Sequence, residues 1–113
     1  MRALLALPEP PTAVFAASDL MAVGAIKAIQ DAGLQCADDV AVVGFDDIQL
    51  AELVSPALTT IRQDKRGLGA AAARSLVQMI DDPAAVAPVW TLPVELVVRE
   101  SCGAAAGREK EVG

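Results

Sequence analysis

Few residues of this 113-residue chain are equipped for chemistry. It has no histidine and two cysteines, Cys36 and Cys102, which lie far apart with no CxxC spacing. That excludes a Cys/His nucleophile pair and the common zinc-ligand patterns, and leaves two free thiols as the expectation. The group that stands out is acidic. In "VVGFDD", Val42 to Asp47, an apolar run ends in two adjacent carboxylates where a turn residue would be ordinary. Such a pair could act as catalytic acid and base, as a helix cap, or as an acceptor for ligand hydroxyls and amines. Successive residues of an extended chain point to opposite faces, so two adjacent carboxylates flank one scissile bond only where the backbone turns sharply between them. Hydrolysis is therefore the least supported of the three.

The elements around the pair decide where it can point. Residues 13–17, "AVFAA", form a short continuous apolar run after a proline pair and predict a buried strand. Ser18 stands at an N-cap position with Asp19 in the first turn, and Ala22, Ala25, Ile26 and Ile29 recur at helical spacing. A helix over 19–32 is expected, closed by Gly33 in the left-handed conformation with Leu34 folding back. Residues 40–45 predict a second buried strand. Strand, helix and strand over this length make a βαβ unit, whose parallel strands end at the same sheet edge. Ser18, Asp19, Asp46 and Asp47 are thereby expected on one rim, the edge at which open α/β sheets bind ligands.

Further on, "DIQLAELV" predicts one or two helical turns capped by Asp46 or Asp47, with Asp47 the better cap, and "LTTIRQD" is extended. Asp64 can cap a helix over 65–81 whose Leu68, Ala72, Leu76 and Met79 or Ile80 form a stripe. Trp90, Leu92, Val94, Leu96 and Val98 alternate with Thr91, Pro93, Glu95, Val97 and Arg99, a strand with one better-buried face, and Pro93 suits an edge. Residues 1–10 are taken as a leader and 102–113 as a disordered tail.

The composition, 54% hydrophobic with 3% aromatic, favours layered α/β packing of Ala, Val, Leu and Ile. A net charge of −6 repels phosphate backbones, so the chain is not expected to bind DNA by itself. The opening "MRALLAL" is too short for a signal core or a membrane span, which points to a cytoplasmic protein without membrane contact. Nothing in the residue types calls for a cofactor or a metal.

The blocks "PPTAVFAASDLMAVGAIKAIQDAGL", "DDVAVVGFDDIQLAELVSPALTTIRQD", "GLGAAAARSLVQMI" and "LPVELVVRES" resemble, in order and spacing, the lactose/galactose repressor (LacI/GalR) family of bacterial transcription regulators over residues 11–101. The resemblance implies the periplasmic-binding-protein type I fold, a three-layer α/β arrangement with parallel sheets in two subdomains around a small-molecule cleft. Only the C-terminal part of that effector domain is represented. Residues 11–64 and 93–101 resemble the second subdomain and 65–92 the first. The DNA-reading helix-turn-helix of the family is not among these blocks, so DNA would be reached only through it. The chain is expected to be a piece of a longer regulator or a truncated product, marginal or associating when alone.

By the same resemblance Asp46 is a ligand acceptor, and Ser18 takes a position that is often Asn in the family and contacts sugar hydroxyls. Asp19 belongs to the ligand-binding set by position, although its chemistry suits holding the helix start and the crossing segments. Lys65 replaces an aromatic or apolar contact and could pair with an anionic effector. Val23, Lys27, Leu50, Leu53 and Val54 match a homodimer interface, and the implied partner is a sugar-like effector that undergoes no reaction. Two alternatives share the topology. A phosphoacceptor receiver domain would need a strand-terminal lysine that does not follow the acidic pair, and a periplasmic solute-binding protein would need a signal sequence.

Overall fold

The computed structural model describes residues 1–104; the rest of the expected tail lies outside the described residues. The elements in chain order are α1 (Arg2–Leu5), β1 (Ala13–Phe15), α2 (Asp19–Asp31), β2 (Ala41–Val43), α3 (Leu50–Leu53), β3 (Thr60–Gln63), α4 (Lys65–Asp81) and β4 (Val94–Val97). They divide between two compact units. One comprises, among the described residues, Met1–Arg62 and residues 96–104, the other Gln63–Glu95.

The first unit is built on the βαβ core. β1 and β2 pair in parallel with Val14 opposite Val42; Val42 is fully buried, but Ala13 and Phe15 are exposed, so β1 is not the buried strand its apolar run predicts, because no layer among the described residues covers its second face. α2 starts at Ser18, whose Oγ accepts the Met21 N–H at 3.3 Å. It stops at Gly33, where φ is +76° and the Leu34 N–H returns to the Ile29 carbonyl, a close that a residue without Cβ makes at no steric cost. Its buried face meets Val40, Val42, Ala51 and Leu58 in a core of small and branched residues. That explains how so few aromatics suffice.

β2 is central rather than an edge. Beyond β1, it is flanked by the extended segment entering β3, with the Gly44 N–H donating to the Thr59 carbonyl and the Asp46 N–H to the Ile61 carbonyl, both at 2.9 Å. The returning chain adds Ser101, fully buried, whose hydroxyl donates to the Val42 carbonyl at 2.6 Å and accepts the Thr59 N–H at 2.9 Å. Two expectations change here. Residues 2–5 of the supposed leader form α1, and Met1 and Leu5 pack on the core because they supply apolar surface next to α2. Cys102, placed in the tail, is half-buried and accepts the Thr59 hydroxyl at 3.1 Å.

In the second unit α4 begins at Asp64, whose Oδ1 accepts the Gly67 N–H at 2.9 Å. Ala71 alone among its residues is buried, while Leu68, Leu76, Val77, Met79 and Ile80 are exposed. The alternation after Trp90 resolves into the shorter β4, and Val94, Leu96 and Val98, expected on the buried face, are exposed. A period of two separates two faces, but burial requires a layer to cover one of them.

Candidate functional site

The site forms where β1 and β2 end. The Asp19 N–H donates to the Phe45 carbonyl at 2.9 Å, which draws the start of α2 against the segment that leaves β2. Ser18 and Asp46 thus share the carboxyl-end rim that parallel pairing dictates. Phe15 and Phe45 meet edge to face there, with ring centroids 6.5 Å apart. This pair is legible only once the strands are known to be parallel neighbours.

The acidic pair sits on a sharp turn. Asp46 has φ +116° and Asp47 φ +52°, so two consecutive residues with Cβ atoms occupy backbone space that L-residues avoid. The two carboxylates consequently have different surroundings. Asp46 is half-buried on the rim, while Asp47 turns inward and is gripped by two guanidiniums, Arg62 Nε at 2.6 Å and Arg99 Nη2 at 2.8 Å. Asp47 is therefore not a helix cap. α3 begins instead at Gln49, without a side-chain cap bond. The physical reason is that two charge-assisted pairs outcompete a single amide donor.

Arg99 was expected on the outward-facing register of its strand and is instead only 12% exposed. Its Nη1 donates to the Leu58 carbonyl at 2.9 Å, and its Nη2 also reaches Glu52 at 3.1 Å. A lone arginine at the end of an alternating strand carries no local signal for this role. The only hint in the sequence was an acidic pair near few bases.

Burial pushes the Asp47 carboxyl up, but the hydrogen bonds and charges of Arg99 and Arg62 outweigh it and hold the group below the ordinary carboxylate range. A depressed native pKa stabilises the fold fully above the unfolded value of about 4, and that contribution fades as pH falls through the native value. The difference in urea midpoint between the native chain and Asp47→Asn should accordingly stay constant from about pH 7 to about pH 5 and shrink below about pH 4. A gap that persists undiminished into strong acid would show that the ion pairs are not its source.

Asp19 is 1% exposed and both its oxygens are taken by the protein. Oδ2 accepts the Ile48 N–H at 2.8 Å and Oδ1 accepts the Thr60 hydroxyl. One carboxylate thus ties α2, the loop after β2 and β3 together, and Gly44 passes so close that a Cβ there would collide with Oδ1. Lys65, in the other unit, is the exposed first residue of α4.

The residues matched to a dimer face lie on α2 and α3 or directly after them. Leu53 is 73% exposed and Leu50 38%, whereas Val23 and Val54 are half-buried. Lys27 is exposed and pairs with Asp31 at 3.0 Å. A groove of 740 Å³ between α1, β1 and α2 is lined by Met1, Leu4, Phe15 and Met21 but by neither Ser18 nor Asp46. Its lining is mostly apolar, with Arg2 its one charged side chain, and so it lacks the several convergent polar groups of a polar-ligand site. Among the described residues there is no cluster of three acidic, cysteine or histidine side chains able to hold a metal. No helix among them is long and apolar enough to cross a membrane.

Comparison with known proteins covers almost all the described chain. A family model for the periplasmic binding protein-like domain matches residues 1–102. The "Probable HTH-type transcriptional repressor ExuR" of Bacillus subtilis is 41% identical over 101 residues, 89% of this chain and 30% of that protein. The ribose operon repressor of Haemophilus influenzae is 44% identical over the same shares. A crystal structure of the lac repressor dimer bound to operator and the anti-inducer ONPF superposes with a TM-score of 0.71 at 41% identity, covering 81% of this chain and 28% of that one. The chain thus spans about three-tenths of the length of the curated relatives it matches.

Proposed function

The chain belongs to the periplasmic binding protein-like family, and on that premise we propose that it is the ligand-sensing part of a LacI-type transcription regulator, that it senses a small, hydroxyl-rich effector and that it dimerises, without reacting with the ligand. The observation that carries this is the placement of Ser18 and half-buried Asp46 on one carboxyl-end rim, drawn together by the bond from the Asp19 N–H to the Phe45 carbonyl. A carboxylate is acceptor-only, and a hydroxyl both donates and accepts, a combination suited to vicinal hydroxyls. Engagement of Asp47 by Arg62 and Arg99 also argues against a hydrolytic acid/base pair, because neither guanidinium can relay a proton at neutral pH.

Asp19 takes part by fixing the rim rather than by contact, and Lys65 enters only by the resemblance, as a charge that could pair with an anionic effector. Exposed Leu50 and Leu53 favour a homodimer face on α3 with Val23, Lys27 and Val54 around it. DNA would be engaged only through a separate helix-turn-helix.

Calorimetric titration of the chain with ribose, galactose, glucuronate and cellobiose, each to millimolar concentration, tests the effector. At least one should bind, and Asp46→Ala should weaken it about 10- to 100-fold, the value of one charge-assisted hydrogen bond of about 1.5–3 kcal/mol. Equal binding by the variant, or no binding by any of the four, would remove Asp46 from the proposal. Sedimentation of the same preparations reads the dimer, and a monomer at all concentrations would remove α3.

A further inference from the structure

We propose that Arg99 is a positioning residue for Asp46: together with Arg62 it clamps Asp47 and so holds the left-handed turn that presents the Asp46 carboxylate on the rim. The inference rests on the reading of Asp46 as the effector acceptor, and it assigns the orientation of that acceptor to the residues that grip its neighbour Asp47.

A turn with φ +116° at Asp46 and +52° at Asp47 is disfavoured by local preference, chiefly at Asp46, since +52° lies in the left-handed region that Asp visits more readily than most residues, and the Asp46 conformation persists only where its surroundings over-determine it. The ties are identifiable. The Asp46 N–H donates to the Ile61 carbonyl, and the Ile48 N–H to buried Asp19, which pins the backbone on both sides. Between these anchors the Asp47 side chain is the handle. Arg62 Nε takes its Oδ2 and Arg99 Nη2 its Oδ1, so the carboxylate is held at both oxygens, from β3 and from the chain after β4.

Arg99 is the rigid half of the clamp. Its guanidinium is 12% exposed and also bonds the Leu58 carbonyl and Glu52 of α3, and its backbone N–H donates to Thr59 Oγ1 at 2.8 Å. Arg62, by contrast, is 47% exposed. A planar fork with partners on several segments fixes Asp47 in direction as well as in place, which a lysine at the same position could not do.

The test is a double-mutant cycle followed by urea unfolding. Asp46→Ala and Asp46→Gly both remove the carboxylate with whatever it bonds and leave the clamp intact, so the glycine's gain over the alanine reads only the cost of a Cβ at φ +116°, and in the native background the glycine should have the higher urea midpoint. In an Arg99→Met background, where the stem is kept and the clamp is lost, the turn relaxes, and the glycine should give no gain over the alanine or a decrease. An equal gain in both backgrounds would overturn the proposal, because the turn would then be independent of Arg99. Should Arg99→Met fail to fold, Arg99→Lys and Arg62→Met replace it with the same expectation. Backbone scalar couplings at Asp46 and Asp47 give a second reading: positive φ in the native chain, negative in the clamp variants. No ligand enters either measurement. Failure of the effector titration therefore leaves the clamp intact, and additivity in the cycle leaves the effector reading intact.

Discussion

Asp19→Ala should lower the unfolding free energy by about 3–5 kcal/mol, a large part of what holds a domain of this size together. The alanine strands the Ile48 N–H and the Thr60 hydroxyl, two donors that the carboxylate satisfies in a buried setting. Each unsatisfied buried donor costs about 1–3 kcal/mol, more where its partner was charged. Asp19→Asn keeps one acceptor but turns an amide N–H₂ towards the other donor, so it should fall between the two. Urea unfolding followed by circular dichroism measures both. A loss below about 1 kcal/mol for Asp19→Ala would mean that water replaces the carboxylate, and that Asp19 is not the tie that joins α2 to β3.

Gly44→Ala should cost about 3 kcal/mol, at the upper end for one added methyl in a filled core. The new Cβ would overlap Asp19 Oδ1 and lie 3.0 Å from Leu58 Cδ2 and 3.2 Å from Ala22 Cβ. The first contact cannot relax without breaking the bonds to Ile48 and Thr60. The two substitutions should therefore couple: with Asp19→Ala already present, Gly44→Ala loses its worst clash and costs less than it does alone. Strict additivity would show that Gly44 is tight for another reason. The native chain's narrow clearance at Gly44 also explains why the run through "VVGFDD" contains a glycine at all. The position needs room, since its φ is not positive.

Much of the framework was legible from the residues. Ser18 before a 3.6-period apolar pattern and Gly33 after it bound α2 to within a residue, because capping chemistry is local. Asp64 marked the start of α4 for the same reason. Continuous apolar runs found β1 and β2, although the strands proved shorter than the runs that announced them. Less was legible at the site. That Asp46 and Asp47 would part ways could be anticipated, but not the partner of each, and Asp47 was assigned the cap that no side chain supplies. Arg99, Ser101 and Thr60 are distant in sequence from what they bind, and the pattern of a strand is silent about which residue near its end will turn inward.

What the sequence determined by itself, then, is the set of local elements, their parallel βαβ order and, through that order, the rim on which Ser18 and Asp46 stand. These follow from period, caps and the handedness of crossovers, all written within about 35 contiguous residues. Only the tertiary structure decided how the acidic pair divides its work. The charges that claim Asp47 arrive from β3 and from the chain after β4, and the donors that bury Asp19 arrive from β3 and the loop after β2. Long-range electrostatic pairing depends on which ends of which segments meet in space. No local propensity encodes that.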